Sequence, residues 1–170
     1  ADLDPISDDS VLTKILLAEM ALARGQTGTA IEAYGAAAEQ SQDAQVARRA
    51  VEMALREDDY SAAMAATKRW LMLAPDSIDA RQLLGVLTIR QGDLEAAYTT
   101  LSQNLPTDPS ARDALIGRLG SLLMQPDMPD EALILMQRLT AEQAGSAAAQ
   151  LALARLALSR EALTVARDAV

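Results

Sequence analysis

The sequence predicts an all-α protein of about ten helices, which pair into repeated helix hairpins. Hydrophobic residues make up 50% of the 170 residues and aromatic residues only 2%, so most of the apolar content is Ala, Leu and Met, which are strong helix formers. Small residues recur at intervals of 33 to 35 positions, and residues that favour turns recur at the same intervals. Together these observations predict a tandem array of helical units.

An acidic leader, residues 1–9, precedes the array, and its Asp residues favour the positive end of the helix that follows. Residues 10–170 are expected to form a single array. Its units run over residues 11–43, 44–77, 78–112, 113–146 and 147–170, the last with a truncated second helix. Because the chain opens at Ala1 and stops inside a helical pattern at Val170, we expect it to be a piece of a longer protein.

The third unit shows the hairpin most clearly. Gly85 in its first helix and Ala97 in its second are small, so the two backbones can approach closely. Gly92 makes the turn between the helices, since glycine adopts the left-handed conformation without strain. Asp108 and Pro109 then begin the next helix, as its N-cap and its first helical residue.

The same positions recur in the other units. The small residue of the second helix falls at Ala30, Ala63, Ala97, Ala132 and Ala166. The turn falls at Gly25, Asp58, Gly92 and Asp127. The small position of the first helix falls at Ala18, Val51, Gly85 and Gly120. The turn of the fourth unit is longer and contains two prolines, and either Asp127 or Asp130 is expected to cap the helix after it.

This pattern resembles the tetratricopeptide repeat (TPR), a helix–turn–helix unit of 34 residues. The resemblance implies an α-solenoid, in which antiparallel helix pairs stack into a right-handed superhelix and bury one another's apolar faces. It also implies a concave groove, lined by the first helix of each unit, that grips an extended or helical segment of another protein. No cofactor is expected.

Counting along the first helices gives the candidate partner-binding residues. They are Leu12, Ile15, Glu19, Arg48, Arg49, Glu52, Arg56, Gln82, Val86, Arg90, Arg118 and Arg155, with Ser121 beside them. Arginine forms bidentate contacts with carboxylates and is enriched at interface hot spots, which favours a protein partner. The alternative is that these arginines pair with Glu and Asp on neighbouring helices and only solvate the surface.

The first helix carries more apolar residues than one buried face needs. They are Val11, Leu12, Ile15, Leu16, Leu17, Met20 and Leu22. We therefore expect the leader, a second copy of the chain or a partner protein to cover part of this helix. Trp70, beside two leucines on the second helix of its unit, is expected to fill the core or the space between units.

Charge and composition argue against several classes of function. The net charge of −9 disfavours binding to nucleic acid, which needs a basic face. The absence of Cys and His from the sequence excludes thiolate and imidazole chemistry and ordinary zinc sites. The carboxylate pairs Asp58–Asp59 and Asp130–Glu131 lie at helix starts, where capping explains them. An enzyme is not expected.

A narrower resemblance concerns three stretches, LLAEMALARGQ, DAQVARRAVEMAL and AATKRWLMLAPDSIDARQLLGVL. They resemble the amino-terminal repeats of proteobacterial outer-membrane lipoproteins, among them the adaptor of a periplasmic carboxy-terminal-processing protease. The resemblance implies a non-catalytic scaffold that brings the protease and its substrates together in the periplasm. Its lipid anchor would lie outside residues 1–170.

Two other functions and one other location stay open. The first function is a self-assembling scaffold that pairs through its apolar first helix. The second is an accessory module of a secretion or polysaccharide-export machine. The alternative location is the cytoplasm.

Overall fold

A computed structural model describes residues 10–103, 105–125, 127–143 and 145–169, and it contains ten helices and no strand in that part of the chain. The all-α prediction is therefore confirmed, while the leader 1–9 lies outside the described residues. The helices are α1 (Val11–Ala23), α2 (Thr27–Gln40), α3 (Ala44–Arg56), α4 (Tyr60–Leu73), α5 (Ile78–Arg90), α6 (Leu94–Ser102), α7 (Pro109–Leu123), α8 (Glu131–Ala141), α9 (Ala147–Ser159) and α10 (Leu163–Asp168).

The chain forms two compact units. Unit 1 runs from Ala1 to Ala80 and contains α1 to α4, and unit 2 runs from Arg81 to Val170 and contains α6 to α10. The boundary falls in the first turn of α5. That residues 10–170 form one continuous array stays a prediction.

The turns inside the helix pairs follow the predicted spacing. Gly25 and Gly92 have φ angles of 71° and 82°, in the left-handed region that glycine adopts most easily. Asp58, at the corresponding position of the second pair, also has a positive φ of 56°. The fifth pair turns at Glu161, with φ of 57°, although the sequence offers no turn glycine there. The spacing would have located this turn, but the residue type would not.

Side-chain caps begin most of the helices. Ser10, Asp43, Asp59, Asp93 and Ser146 each accept a hydrogen bond from a backbone amide in the first turn that follows. The predicted cap of α7 is confirmed, since Asp108 accepts from the amide of Ala111 at 2.7 Å and Pro109 is the first helical residue.

The expected cap of α8 is wrong. Asp130 occupies the N-cap position, but its backbone is helical and its side chain makes no capping hydrogen bond. Asp127 instead pairs with Arg90 of α5. The loop before α8 is therefore held by side chains from other helices, and α8 begins without a side-chain cap.

Small residues hold the helix pairs together, as predicted. The five second-helix alanines are buried. In the third pair, an added Cβ on Gly85 would lie 2.5 Å from the Cγ of Leu101, so α5 and α6 can pack as they do only because residue 85 has no side chain. Gly120 of α7 allows a similar approach to Ala152 of α9, at 3.2 Å from an added Cβ to the Cβ of Ala152.

The two units have different cores. Alanine supplies most of the buried apolar side chains of unit 1, and Met53 is its largest fully buried hydrophobic residue. Unit 2 buries a cluster of larger side chains that includes Ile116, Leu119, Leu135 and Met136. Trp70, which was expected to fill the core or the space between units, is partly buried in α4.

Arginines satisfy carbonyl groups at the ends of other helices. The Arg69 guanidinium donates to the carbonyl oxygens of Ala38, at 3.1 Å, and Ser41, at 2.7 Å, where α2 ends. Because the last carbonyls of a helix have no partner within it, a cation placed there is favourable for both hydrogen bonding and the helix dipole.

Arg160 plays the same part in unit 2. Its guanidinium donates to the carbonyl oxygens of Leu123, at 3.3 Å, and Met128, at 2.7 Å. Arg90 holds the same loop by donating to the side-chain oxygens of Asp127 and Gln125. Two arginines that are distant in sequence therefore hold the loop between α7 and α8 in place. The N-cap residue at the end of this loop makes no capping hydrogen bond.

We predict that Gly85→Ala lowers the free energy of unfolding by about 1–3 kcal/mol, because the added methyl group overlaps Leu101. The matched control is Gly117→Ala in α7, where an added Cβ meets no atom within 4 Å and helix propensity should raise stability by about 0.5–1 kcal/mol. Urea denaturation followed by circular dichroism measures both. Unchanged stability in Gly85→Ala would contradict the close approach of α5 and α6.

We predict that Arg160→Met destabilises the protein by about 1–3 kcal/mol, because two carbonyl groups lose a charged donor. Arg167→Met is the control, since the exposed Arg167 pairs with the adjacent Asp168, and its effect should stay within about 0.5 kcal/mol. Thermal unfolding compares the two variants, and equal melting temperatures would refute the role given to Arg160.

Candidate functional site

An apolar stripe covers one face of α1. We use the name α1 stripe for Leu12, Leu16, Leu17 and Met20, which are each 51–55% exposed. The first, second and fourth are spaced by four residues and so lie on one side of the helix. Ala18 and Ala21 are the buried residues of this helix. Thus α1 packs on unit 1 through small side chains and leaves its large ones at the surface.

The predicted residues Leu12 and Ile15 are placed differently. Leu12 belongs to the α1 stripe, whereas Ile15 is partly buried. Glu19, the third candidate on this helix, is exposed and joins a charged cluster with residues of α2 and α3.

This charged cluster centres on Tyr34 and Arg49. The Tyr34 hydroxyl donates to Glu19, and the Arg49 guanidinium lies 3.6 Å from oxygens of both Glu19 and Glu52. The Arg49 guanidinium carbon is also 5.7 Å from the centre of the Tyr34 ring, within the range of a cation–π contact. Arg48 pairs with Glu52 at 3.2 Å. Four of the candidate residues therefore satisfy one another, as the alternative interpretation of the arginines expects.

Three candidates on α5 do not present their side chains to a partner. Val86 is 5% exposed and belongs to the core of unit 2, and Gln82 is 8% exposed. The Arg90 side chain is 9% exposed and is bound to the loop before α8. Residues spaced by four share a helix face, and here that face is buried. The expectation that these three line a groove is thereby corrected.

The remaining candidates are exposed. Arg56 lies at the end of α3, Arg118 on α7 and Arg155 on α9. None of the three has a hydrogen-bond or ion-pair partner in the described part of the chain. They differ in this respect from Arg49, which carboxylates of two helices surround.

A groove of about 200 Å³ runs between α7 and α9, and the predicted Arg155 lines it. Its other lining residues are Gly117, Gly120, Ser121, Met124, Ala148, Leu151 and Ala152. We call it the α7/α9 groove. Leu151 and Met124 are 50% and 38% exposed, so the groove offers apolar surface beside a guanidinium. Arg118 is exposed one residue after the groove residue Gly117.

Sequence reasoning missed a second groove, of about 360 Å³, between α2 and α4. Alanines and Gly35 supply much of its lining, with Glu32 and Glu39 of α2 and Arg69 of α4. The signal was present as a run of small residues along both helices. The predicted binding residues come from the first helix of each unit, whereas α2 and α4 are second helices.

The carboxylate pair Asp58–Asp59 makes hydrogen bonds at the start of α4. Asp59 caps α4, and Asp58 accepts a hydrogen bond from the Tyr60 hydroxyl at 2.8 Å. Among the residues that the structure describes, no group of three or more acidic side chains could hold a metal ion. No helix there has the length and apolar character that crossing a membrane requires.

Burial raises the pKa of Tyr34 above its ordinary value, and the hydrogen bond to Glu19 raises it further. The unfolded chain therefore loses the Tyr34 hydroxyl proton at lower pH than the folded chain. The contribution of the neutral Tyr34 hydroxyl to folding stability is complete below about pH 10 and is lost as pH rises beyond it. We predict that Tyr34→Phe lowers stability by about 1 kcal/mol at neutral pH and removes this part of the alkaline dependence.

Urea midpoints at neutral and alkaline pH measure the effect. Tyr60→Phe is the control, because its hydroxyl donates to Asp58 outside the cluster and its loss leaves Tyr34 in place. An identical alkaline dependence in the wild type and in Tyr34→Phe would contradict the assignment.

Comparison with known proteins gives a family match for part of the chain and similar folds among solved structures. Residues 54–119 match the family model described as tetratricopeptide repeat. No curated protein matches the sequence. Among solved structures, the chain is similar to the MamA protein, with a TM-score of 0.56 and 13% identity over 96% of this chain and 87% of that chain.

A second solved structure is a protein from Bacteroides ovatus ATCC 8483 whose description names protein binding. It has a TM-score of 0.42 and 15% identity over 94% of this chain and 98% of that chain. The family match and the likeness in fold to MamA agree with the observed helix pairs. The chain is thus an all-α protein built of helix pairs, and its central residues, 54–119, match the tetratricopeptide repeat model.

Proposed function

We propose that this chain is a non-enzymatic scaffold that binds another protein. The observation that carries the proposal is the α1 stripe, in which four large apolar side chains stand about half exposed on one helix face. Contiguous exposed apolar surface marks interaction sites, whereas single exposed side chains are ordinary. Tetratricopeptide repeats in residues 54–119 support the same role, since repeats of this kind bury their own cores and offer extended surfaces.

The energy available at the α1 stripe is sufficient to matter. Completing the burial of four half-exposed Leu and Met side chains would contribute roughly 3–6 kcal/mol before the costs of association. A surface of this size suits one part of an interface. The nearby cluster of Glu19, Tyr34, Arg49 and Glu52 would form its polar rim.

The finer proposal is an adaptor of the bacterial periplasm, attached to the outer membrane by a lipid anchor outside the covered residues. It would bind and activate a carboxy-terminal-processing protease and present substrates to it. The support is the resemblance of three sequence stretches to the repeats of such lipoproteins. One of those stretches contains Leu16, Leu17 and Met20 of the α1 stripe, and another contains Arg48 and Arg49 of α3, so these surfaces would meet the protease.

The α1 stripe also favours a second candidate, self-association of the chain. Two copies could cover each other's stripes in a symmetric contact, which is the commonest arrangement in homo-oligomers. Light scattering over a range of protein concentrations distinguishes this candidate from an adaptor. A monomer at every concentration would exclude self-association through α1.

We predict that the double variant Leu16→Glu/Met20→Glu loses partner binding and keeps its helicity. Both side chains are about half exposed and point away from the face of α1 that packs on unit 1. Met72→Glu is the matched control, since Met72 is 73% exposed on α4 and lies outside the stripe. The three proteins are immobilised and exposed to a bacterial envelope extract, and bound proteins are identified by mass spectrometry.

Recovery of a carboxy-terminal-processing protease by the wild type and Met72→Glu, but not by the double variant, would support the adaptor. If the double variant retains everything that the wild type binds, the α1 stripe is not the binding surface. If the wild type binds nothing beyond the bare resin and remains monomeric, the scaffold proposal is refuted.

A further inference from the structure

We propose that the α7/α9 groove receives an extended segment of the partner protein in which an apolar side chain is flanked by Asp or Glu. The inference deepens the proposed function and rests on it. It concerns unit 2 alone, so it can be tested separately from the α1 stripe.

The charges on α7 and α9 supply the first argument. These two helices contain three arginines and one aspartate. Arg112 donates to the carbonyl oxygens of Pro106 and Thr107, and Asp113 accepts from the Ser146 hydroxyl at 2.5 Å. Arg155, which lines the groove, and Arg118, which lies next to it, have no hydrogen-bond or ion-pair partner in the described part of the chain. No carboxylate lines the groove. Its charge is therefore complementary to an acidic ligand.

The charge of the rest of the chain differs from that of the groove. The net charge of the chain is −9, but unit 2 contains 8 basic and 10 acidic residues, so most of the negative charge lies in unit 1. Several other arginines of the chain have carboxylate partners. Arg138, for example, binds Glu95 at 2.5 Å and stacks on the Tyr98 ring at 3.9 Å. Arg155 has no such partner in the described part of the chain, and it lines a concave part of the surface.

The shape of the groove supplies the second argument. Gly117 and Gly120 both lie inside α7, where glycine lowers helix stability relative to alanine. Packing against Ala152 explains Gly120. No atom lies within 4 Å of an added Cβ at Gly117, so packing does not require a glycine there. Its missing side chain leaves open space through which the backbone of a ligand can approach the helix.

The donors of the groove favour carboxylate side chains over a terminal carboxylate. Capture of a chain terminus uses several donors that converge on one point. Here Arg155 is the charged residue of the lining, and the Ser121 hydroxyl already donates to the carbonyl oxygen of Gly117 at 3.1 Å. Arg118 and Arg155 lie on different helices and would contact carboxylates of different residues. The exposed parts of Leu151 and Met124 would contact the apolar side chain between them.

The test uses fluorescent peptides with blocked ends. The probe has one Leu flanked by Glu on both sides in a Gly/Ser background, and the reference peptide has Gln in place of Glu. A third peptide keeps Gln but has a free terminal carboxylate. Fluorescence anisotropy with the whole chain should give about tenfold tighter binding of the Glu peptide than of the Gln peptide, with the preference falling as salt rises.

Three variants locate the site. Arg155→Gln should bring the affinities of the Glu and Gln peptides together. Gly117→Leu should weaken binding of both peptides at least tenfold by filling the groove, and circular dichroism should show the fold retained, since the space at residue 117 is open. Arg24→Gln is the control, because Arg24 is an exposed arginine of unit 1, and it should change neither affinity.

Equal affinities of the wild type for the Glu and Gln peptides, or no binding of either at millimolar concentration, would overturn the inference. So would a preference for the peptide with the free carboxylate, or a Glu preference that survives Arg155→Gln. In these cases the scaffold function still stands if Leu16→Glu/Met20→Glu loses its partner. If that double variant keeps its partner while the Glu peptide binds as expected, the α1 proposal fails and the groove remains.

Discussion

Close approach of paired helices at a position without a large side chain is the constraint on which the structure depends. At Gly85 even one methyl group would overlap Leu101, and at Gly120 it would press on Ala152. Such contacts fix how deeply one helix lies against the next, and therefore which residues remain outside. The exposed stripe of α1 follows from the same rule, because Ala18 and Ala21 bring that helix close to its unit and leave the larger side chains facing away.

Arginine performs three different tasks in this protein, although its chemistry is constant. Arg69 and Arg160 satisfy carbonyl groups where other segments end, and Arg49 and Arg138 join carboxylates to aromatic rings. Arg155 lines the α7/α9 groove, where it would contact the inferred ligand. A planar group with five donors suits all three tasks, which lysine, with its single ammonium group, performs less well. The 13 arginines against 2 lysines in the sequence are consistent with these structural uses.

Local signals made much of the fold predictable. A turn at Gly92 and a helix start at Asp108 and Pro109 depend on neighbouring residues, so the sequence alone was sufficient. The candidate site was predicted less well, because one residue of error in a helix turns a side chain by about 100°. Val86 was assigned to the surface and lies in the core. The contact of Arg69 with Ala38 joins residues 31 positions apart, and no local sequence pattern predicts it.

The alanine-rich interior of unit 1 has a dynamic consequence. Small side chains bury little apolar area each, so this unit gains less from the hydrophobic effect than unit 2, with its leucine, isoleucine and methionine cluster. Segments with few large buried contacts are those that open first in the native ensemble. The amides of α1 and α2 should then exchange with deuterated solvent before those of α7 and α8, and a partner bound over Leu16 would slow that exchange across the whole of unit 1.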